Sequence, residues 1–135
     1  MSEGPHILIA EDDFEDRFIM AETFGELGHA AVIHLVEDGT KIIDYLAKNG
    51  VGDIKLIVLD LNMPRLNGTD TLRFLKDSLD YKQVPVVIFS TSVNEIEKNI
   101  CMSLGAKEYI TKPARYAEYV QTCKKFYLLS QEVPC

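Results

Sequence analysis

The feature that most constrains this chain is an alternation of two apolar patterns. Short, nearly continuous apolar blocks recur at Ile7-Leu8-Ile9-Ala10, Ala30 to Val36, Leu56-Ile57-Val58-Leu59, Val84 to Phe89, and around Tyr109-Ile110. They are too short for helices, and most are rich in β-branched residues. That is the pattern of strands buried on both faces of a parallel sheet. Between them lie segments whose apolar residues recur at threes and fours: Phe14, Phe18, Ala21, Phe24 and Leu27; Ile42 or Ile43 with Leu46; Leu72, Leu75 and Leu79; Val93, Ile96, Ile100 and Leu104; Tyr116, Val120, Cys123 and Tyr127. Each stripe predicts a helix laid with one side on a sheet. Gly28, Asn49-Gly50 and Gly105 fall where such helices should stop. Asp13 suits the cap of the first helix, and Asp16 in its first turn favours the same end.

Five strands and five helices in strict alternation predict a doubly wound α/β fold with right-handed crossovers. The common flavodoxin-like sheet order 2-1-3-4-5 is expected. The 135 residues suit one domain, residues 1–135, with a folded core of about 6–127 and no output domain attached. A formal net charge of −7 argues against nucleic-acid and anionic-membrane partners, which need a basic footprint. The cysteines, Cys101, Cys123 and Cys135, are odd in number and form no C-x-x-C pair. They read as reduced thiols of a cytoplasmic protein rather than as disulfides or zinc ligands. No signal peptide or membrane-length apolar run is visible.

In an open parallel sheet the ligand site lies off the carboxyl ends of the strands. Glu11-Asp12-Asp13 follow the first apolar block, Asp60 the third, Ser90 the fourth, and Thr111-Lys112-Pro113 the fifth. Central acids in one crevice repel one another unless a cation is present. A hard divalent ion with oxygen ligands, Mg²⁺ above all, resolves that repulsion. Lys112 and Ser90 add a positive charge and a hydroxyl, the partners a transferred phosphoryl group needs. A carboxylate can itself be the nucleophile, and Asp60 ends the central strand. Glu37-Asp38-Gly39 follows an edge strand and reads as a turn and helix start.

These residues resemble the receiver domains of bacterial two-component signalling. The resemblance rests on Ile7 to Asp13, Leu59 to Gly68, Phe89-Ser90-Thr91-Ser92, and Gly105 to Pro113, all in order. It implies a response regulator with Asp60 as phospho-acceptor, Asp12 as direct metal ligand, Glu11 assisting, and the Asn62 backbone carbonyl on the Mg²⁺ ion. It implies that Ser90 hydrogen-bonds the phosphoryl group and that Lys112 pairs with it. Tyr109 matches an aromatic that swings inward when Ser90 engages the phosphate, and the Lys112–Pro113 peptide bond matches one that is cis. Thr91 stands where relatives carry a smaller residue and is expected to crowd Tyr109. The wording around Asp60 and the Ser90-Thr91-Ser92 run further resemble single-domain regulators that partner phytochrome-type kinases. A sensor histidine kinase, a downstream protein or phosphorelay partner, and a homodimer through helix 4, strand 5 and helix 5 are the partners implied. The only catalysis implied is of the chain's own phosphorylation and dephosphorylation. A degenerate receiver serving as a binding module would have lost an acid or the lysine. A haloacid-dehalogenase-type phosphatase would need an acid where Asn62 stands. A flavin or dinucleotide site would need a Gly-rich loop after the first strand.

Overall fold

The computed structural model describes residues 4–132. Cys135 therefore lies outside the described residues. Strands β1 (Ile7–Ala10), β2 (Ile33–Val36), β3 (Leu56–Leu59), β4 (Val86–Ser90) and β5 (Glu108–Thr111) alternate with helices α1 (Phe14–Glu26), α2 (Gly39–Asn49), α3 (Gly68–Asp77), α4 (Glu95–Ser103) and α5 (Tyr116–Ser130). All pairings are parallel and the order is β2-β1-β3-β4-β5. The expected topology is the one found.

The period-two alternation of a strand divides the core into two layers. Leu8, Ala10, Ile57, Leu59, Val86 and Ile88 face α2 and α3 through Ile42, Leu46, Leu72 and Leu75. Ile7, Ile9, Leu56, Val58, Val87 and Phe89 face α1 and α5 through Met20, Phe24, Tyr119, Cys123 and Phe126. Buried on both sides, β1, β3 and β4 have no polar residue until their carboxyl ends.

Five expectations about these elements need correction. The second apolar block does not run as one strand: Ala30–Val32 forms a 3₁₀ turn and pairing begins at Ile33. The stripe assigned to α1 is rotated, since Phe14 and Phe18 are exposed while Met20, Thr23 and Phe24 are buried. Val93, Ile96 and Ile100 are likewise exposed, and α4 buries Cys101 alone. In α5 the buried line is Tyr119, Cys123, Phe126 and Leu129 rather than Tyr116, Val120 and Tyr127. The shared reason is that these helices carry apolar residues on more than one side. Packing, not periodicity, then chooses the face. Leu79 lies beyond the end of α3, in an exposed turn. No described helix is long and apolar enough to cross a membrane.

Candidate functional site

The site begins with the turn that follows β1. Glu11 is fully buried, and its Oε2 accepts the Asp13 backbone N–H at 3.1 Å. Asp13 caps α1, as expected, by accepting the N–H groups of Glu15 and Asp16. Its carboxylate is thereby committed to the helix, while Asp12 stays exposed at the mouth of the crevice. Arg17 donates to the carbonyls of Glu11 and Asp12 and braces this turn. Glu11, Asp12 and Asp60 can each bring a carboxylate oxygen within 4.8 Å of the others. That donor set, hard oxygens at close range, fits a hard divalent cation. Asn62 is exposed two residues beyond Asp60.

Asp60 is 6 % exposed, and its backbone N–H donates to the Ala10 carbonyl at 3.1 Å. The loop that follows it is tightly held. A Cβ built on Gly68 would stand 2.1 Å from the Asp60 carbonyl oxygen, so only glycine lets α3 start this close to Asp60. Gly68 also donates its N–H to the Leu61 carbonyl at 3.0 Å. Further along the loop, Arg65 donates from Nε to Asp38 Oδ2 at 2.7 Å, and its Nη2 pairs with the same carboxylate. Asp38 has no exposed surface. Burial would raise its pKa, but hydrogen bonds from Thr40 and Arg65 outweigh burial and hold it below the usual value. Asp38 does cap α2, as the sequence suggests, and through Arg65 it also anchors the loop after Asp60.

Lys112 reaches in from the end of β5. Its backbone N–H donates to the Ser90 carbonyl at 2.8 Å. Its Nζ lies 2.6 Å from Glu11 Oε1, 2.9 Å from Asp16 Oδ2 and 3.3 Å from Asp60 Oδ2, and 5.8 Å from the centre of the Phe89 ring. Burial alone would lower the pKa of this lysine, but the bonds to Glu11 and Asp16 and the charges of Glu11 and Asp60 hold it above its ordinary value. Burial pushes the Glu11 carboxyl up to about 8, against the hydrogen bond from Lys112, and the Asp60 charge adds to the rise. Asp12 is raised too, by burial and then by Asp60. A crevice whose acids resist ionising together is one that a cation would relieve. Among the described residues every peptide bond is trans, so the expected cis bond between Lys112 and Pro113 is absent. Trans is the intrinsic preference even before proline, and here it already delivers Lys112 to all three carboxylates.

Ser90 is fully buried at the end of β4, and its Oγ accepts the Ser92 N–H at 3.2 Å. No hydrogen bond joins it to Asp60 among the described residues. Tyr109 is half-buried and donates its hydroxyl to the Ser92 carbonyl at 2.9 Å. Thr91 is exposed, and Tyr109 reaches the loop one residue beyond it. Ser92 also donates to Glu97 of α4, so one residue joins Ser90, Tyr109 and α4.

The sequence reading placed Glu11, Asp12, Asp60 and Lys112 together, and the fold does so. It missed the Asp16–Lys112 pair, the Arg65–Asp38 anchor and the close approach of Gly68. The first two join residues 96 and 27 positions apart, and no local signal reports such pairs.

A family model for the response regulator receiver domain matches residues 7–124. Two-component response regulator ARR15 of Arabidopsis thaliana is 34% identical over 121 residues, covering 84% of this chain. The chain spans 58% of that relative's length. The crystal structure of the phosphorylated cyanobacterial phytochrome response regulator RcpA is similar over 98% of this chain and 99% of its own, with a TM-score of 0.84 and 29% identity. The Mn²⁺-bound form of response regulator Rcp1 is similar over 96% of this chain and 98% of its own, with a TM-score of 0.78 and 28% identity.

Proposed function

This chain belongs to the response regulator receiver domain family, and we propose that within it Asp60 accepts a phosphoryl group from a histidine kinase. The observation that carries the reading is a single cluster. A buried acceptor carboxylate lies 3.3 Å from a buried ammonium, and the same carboxylate shares a potential cation site with Glu11 and Asp12. An Asp60 oxygen forms a bond to phosphorus while the bond from phosphorus to the donor imidazole nitrogen breaks. The nitrogen keeps that electron pair and leaves as neutral imidazole once protonated. The product is an acyl phosphate. Lys112 neutralises charge on the transferred oxygens, and Ser90 turns its hydroxyl toward them, which is the positioning that phosphoryl transfer demands.

Glu11, Asp12, Asp60 and the Asn62 backbone carbonyl are the proposed ligands of Mg²⁺. When bound, such an ion supplies charge neutralisation for the phosphoryl oxygens. The Mn²⁺-bound relative supports the choice of a divalent cation. The likeness to a phytochrome response regulator supports a phytochrome-type kinase as donor. The receiver domain promotes only its own phosphorylation and the hydrolysis of its acyl phosphate. Its signal leaves by protein contact: Ser90 moves toward the phosphate, Tyr109 follows, and the face of α4, β5 and α5 changes affinity for a downstream partner or a second copy. Exposed Ile96 and Ile100 supply apolar contact area on that face.

The test is incubation with acetyl phosphate and Mg²⁺ followed by intact-mass and peptide mapping. One added phosphoryl group at Asp60 is expected, and none in Asp60→Asn. Undiminished labelling of Asp60→Asn would overturn the assignment. Asp12→Ala should weaken Mg²⁺ binding far more than Asp13→Ala, whose carboxylate serves the helix cap.

A further inference from the structure

Lys112 is not shared evenly. Of its three carboxylate partners Asp60 is the most distant, at 3.3 Å, while Glu11 at 2.6 Å and Asp16 at 2.9 Å stand closer. An ammonium has three N–H donors, and here each has a carboxylate to meet. Asp16 differs from the other two. It stands on α1 rather than at a strand end, and it is outside the trio able to hold a cation. Its side chain is 23 % exposed, against 1 % for Glu11 and 8 % for Asp60. Its backbone is pinned by the Asp13 cap at 3.2 Å, so the carboxylate is held beside the lysine by the helix itself.

A phosphoryl group on Asp60 brings new anionic oxygens to a lysine whose donors are all engaged. Glu11 and Asp60 can turn toward a cation. Asp16 can only compete with the incoming anion for Lys112 and repel it. We propose that Asp16 is a positioning residue for the phosphoryl site: it holds one Lys112 N–H in the resting protein and yields it to the phosphoryl group. Its charge thereby sets how tightly the site takes an anion. Glu11, at 2.6 Å, still keeps Lys112 in place when Asp16 is neutral, so removing the charge strengthens anion binding instead of abolishing it. This inference rests on the reading of Asp60 as acceptor.

The experiment compares the full chain with Asp16→Asn and Asp16→Glu. Each is titrated with beryllofluoride in Mg²⁺ while NMR follows the Asp60-loop amides and the Lys112 ammonium resonance. Asp16→Asn should bind beryllofluoride about 3- to 10-fold more tightly, a modest effect because the carboxylate is partly screened by solvent. Its Lys112 ammonium protons should exchange faster with water, and Asp16→Glu should return both readouts toward wild type. Equal or weaker binding by Asp16→Asn, or an unchanged Lys112 resonance, would overturn the proposal. If the wild-type chain takes no beryllofluoride, the acceptor reading fails. The resonance alone then decides whether Asp16 holds Lys112, faster exchange in Asp16→Asn upholding that contact and unchanged exchange overturning it.

Discussion

The loops that leave β3 and β4 start side by side at the carboxyl edge of the sheet, yet they are built in opposite ways. The loop after Asp60 buries Leu61 and Met63, is clamped by Arg65 on Asp38, and receives Gly68 against the Asp60 carbonyl. It leads into α3, which buries Gly68, Thr71, Leu72 and Leu75. The loop after Ser90 exposes Thr91, Val93 and Asn94 and is held chiefly by hydrogen bonds to Ser92. It leads into α4, which buries only Cys101. Asp60 therefore sits on backbone that cannot shift without breaking core contacts. The loop after Ser90 sits on backbone that makes few core contacts and costs little to move. That division suits the switch proposed above, because chemistry needs fixed geometry and signalling needs a cheap alternative conformation.

Mutation, melting and exchange measurements test this contrast. The largest effect is expected at Gly68. Its replacement by alanine forces a Cβ into the Asp60 carbonyl, and should cost about 3 kcal/mol and slow acetyl-phosphate labelling on the order of a hundredfold. Denaturant melts and labelling time courses check it; near-wild-type labelling would mean that the β3 loop is not rigid.

Next comes Asp38→Ala, which removes a helix cap and the partner of Arg65, at a cost of about 1–2 kcal/mol. The folded pKa of Asp38 is depressed, so its stabilisation is present above the ordinary carboxylate pKa and is lost as pH falls through the lower, folded value. The stability gap between Asp38→Ala and wild type should accordingly shrink as a urea-melt series is taken below about pH 4. A gap that widens in acid would contradict the sign.

Hydrogen exchange should separate the loops' helices more gently. Amides of α4 are expected to exchange about tenfold or more faster than those of α3, through local opening rather than global unfolding. Equal protection would remove the basis for calling α4 the mobile partner. The smallest effect belongs to Ile96→Ser, an exposed α4 position, where stability should change by no more than about 0.5 kcal/mol. A larger loss in thermal melts would show that α4 packs more firmly than its burial suggests.

How much of this was legible beforehand follows from the range of the forces involved. The alternation of apolar blocks and stripes specified the element order and the parallel sheet, because strand and helix periods are local properties of the chain. The polar residues ending β1, β3 and β5 marked the site, because a parallel sheet brings those ends to one edge. Asp13 was readable as a cap because its partners are two and three residues away. The buried faces of α1, α4 and α5 were not legible. Their apolar residues lie on several sides, and contact with the sheet and with each other selects among them. Nor was the trans bond before Pro113, the approach of Gly68 to Asp60, or the commitment of Asp16 to Lys112. Those depend on where distant segments come to rest, and a charge pairs with whatever folding places within a few ångströms of it, however far away that group lies along the chain.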